Sequence, residues 1–167
     1  VSDELFTTVR LGKTTMSELA ASMGFVLPFA KSMNLDLQGV GAAMATLTAS
    51  GISTAQATTS LRSAIQSLQS PSEQSKNLMK DLGIEVKRFD DGSVDLVSTI
   101  EQFRGLDPDT MRKLIPRVEG ILAIQTMAQN FDTLRSNVNQ FANESAGATE
   151  SAFNTMAQGF NQQMSML

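Results

Sequence analysis

The chain has 167 residues and a formal charge of −4, with no cysteine, histidine, tryptophan or tyrosine. Without cysteine or histidine it lacks disulfides, thiolate nucleophiles, zinc–thiolate sites and the usual general base, so the composition argues against an enzyme. The negative charge, with basic pairs only at Lys87-Arg88 and Arg112-Lys113, argues against a sequence-independent hold on nucleic acid. Hydrophobic residues make up 41 %, enough for a core, but aromatics are 5 % and all are Phe. That core must therefore be built from Leu, Ile, Val, Met, Ala and Phe. Ten Met residues make it adaptable, because thioethers fill irregular gaps without fixing them tightly.

Helix punctuation is legible from the start of the chain. Thr15 with Glu18 reads as a capping box opening a helix over 15–33, with Pro28 expected to kink or break it. A second helix is expected over 36–50, ending at Gly51. Ser53 with Gln56 opens a third over 53–69, with Ile52 as the apolar residue before the cap. Ser70, Pro71 and Glu73 read as N-cap, first helical position and box partner of a fourth over 71–82, closed by Gly83. The units recur about every 17 to 19 residues, which suggests stacked helix-turn-helix pieces without a true repeat. The stretch between Asp36 and Arg62 is uncharged, but its Thr, Ser and Gln content and Gly51 argue against a membrane span. It is instead the expected contact region, 37–61.

Alternation then replaces helical spacing. Ile84 and Val86 alternate with polar residues, Asp91-Gly92 makes the turn, and Val94 and Leu96 return, predicting a short β-hairpin over 84–96. A helix around 95–104 follows, and Asp107-Pro108 starts another. From Leu114 the positions Ile121, Ile124, Ala128, Phe131, Val138 and Ala142 step by three and four, with Arg135 interrupting. A second stripe, Phe153, Met156, Phe160, Met164 and Leu167, is still running at the last residue. The expected architecture is all-α with one hairpin. An N-terminal helical lobe (1–83) and a C-terminal lobe (97–167), ending in a long amphipathic helix, flank the hairpin. The unfinished stripe and the absent initiator Met suggest a fragment of a longer chain.

The run LTASGISTAQATTSLRSAIQSLQSPSEQSKNLMKDLGIEV, from Leu47 to Val86, resembles the core region of phage tail tape measure proteins. The features arrive in the family's order: Gly51-Ile52, Ala57, Leu61-Arg62, Leu68 with Pro71, Leu82-Gly83-Ile84, then Asp91-Gly92. The later LIPRVEGILAI and NESAGATESAF are similar to the family's second half, with Ile115 where a Phe usually stands. The likeness covers roughly residues 10 to 160. It implies a helical structural protein in the lumen of a virion tail tube, present in the host cytoplasm during assembly. Tube subunits polymerise around such a chain, whose length sets tail length, so the implied partners are the major tail protein and assembly chaperones. Self-association through the C-terminal helix is a further expectation. The alternative the resemblance carries is a membrane-perturbing module that forms a channel during genome ejection.

No catalytic, cofactor or metal residues are expected. Asp90, Asp91, Ser93 and Asp95 lack the alternating ligands and closing Glu of a calcium loop and read as a solvated turn. Glu144 and Glu150 flank a Ser-Ala-Gly-Ala-Thr stretch with no aromatic platform nearby, and read as polar faces of two helices rather than a glycosidase pair. In the Gly51–Gln69 stretch, small and hydroxyl side chains suit a helix crossed closely by its neighbours. Such side chains bury little area, so stability is expected to be modest.

Overall fold

Short polar caps set the helix starts, and the described residues, 16–144 of the computed structural model, form eight helices. These are α1 (Met16–Ser32), α2 (Leu37–Ala49), α3 (Thr54–Gln69), α4 (Glu73–Leu82), α5 (Leu96–Glu101), α6 (Pro108–Leu114), α7 (Val118–Gln129) and α8 (Phe131–Glu144). Asp36, Ser53, Ser72, Asp95 and Asp107 each accept a hydrogen bond from the amide three residues on, satisfying a donor that the first helical turn leaves without a partner. Gly51 and Gly83 follow α2 and α4 at φ 97° and 71°, a region L side chains rarely adopt.

Two details of the N-terminal helices differ from the sequence expectation. Ser70 closes α3, its amide donating to the Gln66 carbonyl, so α4 starts only after Pro71 and its cap is Ser72. Pro28 lies inside α1 without ending it. Val26 and Ala30, buried on either side of the proline, hold both halves of the helix against the core.

The architecture is all-α and built around α2. No residue of Leu37–Ala49 is charged, and every residue from Gly39 to Thr48 is buried. A helix with no water-facing side is stable only when enclosed. Here α1, α3, α5, α7 and α8 all pack on it. This corrects the expectation that 37–61 is a contact surface: most of it is interior. Its hydroxyls are satisfied locally, Thr46 donating to the Ala42 carbonyl at 2.8 Å and Thr48 to that of Met44 at 2.9 Å. Asn137 of α8, also buried, donates to the Thr46 hydroxyl at 3.0 Å and ties α8 to α2.

α3 is the second interior element, crossed most extensively by α7, while α2 packs most extensively on α8. The core therefore runs continuously from residues of the expected N-terminal lobe to residues of the expected C-terminal one. A glycine sits at each of these two helix contacts. A Cβ on Gly120 would stand 2.9 Å from Ile115 Cγ2 and 3.4 Å from the Ala64 backbone nitrogen; one on Gly41 would stand 3.0 Å from the Phe141 ring. α1 lies beside α3 in the same direction, as the Thr54–Glu18 and Gln69–Met33 hydrogen bonds, both spanning 36 residues, require.

The 84–96 segment turns at Asp91-Gly92, with Gly92 at φ 86° and one antiparallel bridge between Arg88 and Val94. Pairing goes no further because Thr99 takes the Lys87 amide and Gln102 takes both backbone groups of Glu85. On its other side Val94 pairs in parallel with Leu35. In α8 the inward positions are Phe131, Leu134, Asn137 and Phe141, while Ala142 is exposed; the stripe shifts by one so that Arg135 faces water. The Thr15 cap and the Phe153–Leu167 stripe lie outside the described residues.

Gly120→Val is expected to lose about 1–3 kcal/mol in urea unfolding, because the side chain would press on Ile115 and on Ser63 and Ala64 of α3. The buried hydroxyls of Ser60 and Ser63 have no hydrogen-bond partner among the described residues. Ser60→Ala is expected to gain about 1 kcal/mol in the same experiment, since it removes an unsatisfied buried group and favours the helix.

Candidate interaction surface

With α2 and the inner face of α3 enclosed, the chemistry available to a partner lies along the outer face of α3. Thr59, Arg62, Gln66 and Ser70 follow one another at helical spacing on that face. A hollow of about 260 Å³ opens over Thr59, Arg62 and Gln66 between Phe29 of α1 and Arg117 and Glu119 at the start of α7. A second, of about 280 Å³, shares Gln66 and Arg117 and continues to Pro71 and Pro116. Together they make a shallow trough running along α3.

The Arg62 guanidinium lies over the Phe29 ring, 5.1 Å from its centroid, a contact worth about 0.5–1 kcal/mol where exposed. Phe25, one helical turn before Phe29, is 68 % exposed, and Val118, between Arg117 and Glu119, is 77 % exposed. Apolar side chains beside stacked or free charges suit a protein contact. They do not suit catalysis: Glu119 is the one carboxylate lining either hollow, and neither holds a nucleophile paired with a base.

The acidic turn is occupied by its own hydrogen bonds. Asp91 accepts from the Ser93 amide at 2.9 Å and from the Ser93 hydroxyl, which together hold its carboxyl below the ordinary range. Asp95 caps α5 and Asp36 caps α2. Among the described residues, no group of three or more Asp, Glu, His or Cys could hold a metal ion. Asp107 is likewise lowered, by the Thr110 hydroxyl and amide. Glu85 is lowered by its hydrogen bond to Lys87. Asp36 moves the other way: burial raises it, amides of Gly39 and Gln38 offset part of this, and Asp95 and Asp91 add to it. Of the considered carboxylate pair, Glu144 ends α8 and Glu150 lies outside the described residues.

The trough was not foreseen from the sequence. Its walls come from positions 29, 62 and 117, far apart in the chain, and only the packing of α1 and α7 on α3 brings them together. Arg62, the lone charge in its helix, was the available signal.

A model of the family described as phage-related minor tail protein matches residues 1–115. No curated protein and no solved structure matches the chain.

The raised carboxyl of Asp36 sets a pH signature. The folded state binds its proton more tightly than the unfolded state does. Stability from this group therefore falls as pH rises from the ordinary aspartate range through the raised value, and is constant above it. Asp36→Asn keeps a capping oxygen and removes the buried charge. It is expected to match or exceed the parent Tm at pH 7, with the difference shrinking at pH 3. Asp36→Ala, which has no group to titrate, should lose about 1 kcal/mol of capping, with the larger loss at pH 3.

Proposed function

The chain belongs to the phage-related minor tail protein family, and from that premise we propose that it is a module of the tail tape measure protein. In this reading its length contributes to tail length and its surface scaffolds polymerisation of the tube. The observation that carries it is the ordered set of features from Gly51 to Gly92 within the matched region, on a chain that folds as helices around an uncharged interior. Helix length converts residue count into distance at about 1.5 Å per residue, the relation a ruler needs. Partners in this reading are the major tail protein, assembly chaperones and further copies of the chain, met through contact faces of the kind that Phe25, Arg62 and Val118 form. The place of action is the tube lumen, reached after assembly in the host cytoplasm.

The other reading, a membrane-perturbing module at genome ejection, gains no support from the described helices. None is long and apolar enough to cross a membrane. The most apolar, α2, has 13 residues, or about 20 Å of helix against roughly 30 Å of hydrocarbon.

The test is tail length by electron microscopy after in-frame removal of residues 16–144 from the gene. A second strain replaces the same stretch with an unrelated helical sequence of equal length. Shorter tails in the first strain and restored length in the second are the expected result. The deleted stretch corresponds to at most roughly 190 Å if it is fully helical in the tail. Unchanged length in the first strain, or no tails in the second, overturns the ruler reading.

A further inference from the structure

We propose that the outer edge of the extended segment 84–88 is a docking site for an extended acidic segment of a partner protein, added as a strand. The inference goes beyond the ruler reading and does not depend on it. Backbone groups of an extended segment point alternately to its two sides. On one side, Glu85 donates its amide to Gln102 Oε1 at 3.0 Å and accepts from Gln102 Nε2 at 2.7 Å. Lys87 on that same side donates to the Thr99 hydroxyl at 3.0 Å and accepts from the Asp95 amide at 2.9 Å. The opposite side carries the amides and carbonyls of Val86 and Arg88, which have no hydrogen-bond partner among the described residues.

This segment is the outermost of three short extended pieces, with Leu35 pairing to Val94 and Val94 to Arg88. An unpaired edge of this kind is a template for another strand. Beside it lies a cleft of about 490 Å³ with Leu68, Met79, Ile84 and Val86 in its wall, large enough for an aliphatic side chain.

Charge selects the occupant. Lys76 and Lys80 line the cleft, and neither is ion-paired among the described residues. The one carboxylate there, Glu85, is already met by Lys87 at 2.6 Å. An incoming strand with carboxylates beside an aliphatic residue therefore finds backbone, apolar and ionic partners at once. Two copies of this chain paired edge to edge would instead bring both lysine pairs into one cleft, a like-charge arrangement that disfavours self-pairing.

The experiment uses the 15N-labelled full chain and an acetylated, amidated seven-residue peptide alternating glutamate with valine. We expect saturable shifts at Val86 and Arg88 and at least tenfold slower exchange of those two amides, with Glu85 and Lys87 amides little changed. The lysine–valine counterpart, and a glutamate–valine peptide N-methylated at alternate residues, should bind at least tenfold more weakly. Lys76→Glu with Lys80→Glu should also weaken binding at least tenfold, and the lysine–valine peptide should then gain. No perturbation by millimolar glutamate–valine peptide, equal binding of the lysine peptide, or shifts confined to other residues would overturn the proposal. So would a dimer in sedimentation whose Val86 and Arg88 amides are already protected without peptide, because a second copy would then hold the edge.

Discussion

The enclosure of α2 is the constraint on which the other contacts depend. An uncharged helix buried from Gly39 to Thr48 must be covered on every side, and covering it takes five other helices. Each must also approach closely, because small side chains reach only a short distance from the backbone. That is why Gly41 meets the Phe141 ring, with an aromatic of α8 filling the space that a side chain on α2 would have taken. α3, itself half buried, is crossed by α7 with Gly120 at the contact.

Such an interior can be rich in hydroxyls because a helix satisfies them itself. Thr46, Thr48, Thr58 and Ser67 each donate to a carbonyl one turn back, so burying them leaves no lost hydrogen bond. Among the described residues Ser60 and Ser63 are the exceptions, and both lie on α3. The large apolar residues contribute most of the transfer energy. Phe103, Phe141, Met44, Leu61 and Ile124 are fully buried and spread over five different segments. Met44, Met79, Met111 and Met127 give that core adaptable packing.

Burying the uncharged α2 and the inner face of α3 leaves charge and exposed apolar groups to the edges of the bundle. The trough over α3 joins aromatic, aliphatic and charged side chains from three helices. The cleft beside 84–88 joins lysines of α4 to an open backbone edge. Both sites offer contact surface, in keeping with the phage-related minor tail protein family.

The sequence by itself determined the all-α class, most helix boundaries and the 91–92 turn. These depend on local physics: a Ser or Asp oxygen reaches the amide three residues on, and a glycine takes positive φ, whatever the rest of the chain does. Local rules also explain the near misses. Ser70 reads as the cap of α4, but it already closes α3, and the cap falls to Ser72 two residues on. Tertiary structure decided which uncharged surface is inside. From Asp36 to Arg62 the sequence is equally compatible with an exposed contact face and with an interior helix, because small and hydroxyl residues are tolerated in both places. Five neighbours packing on α2 settle it as interior. The same packing brings Phe29, Arg62 and Arg117 to one trough, a proximity between positions too far apart in the chain for any local pattern to encode.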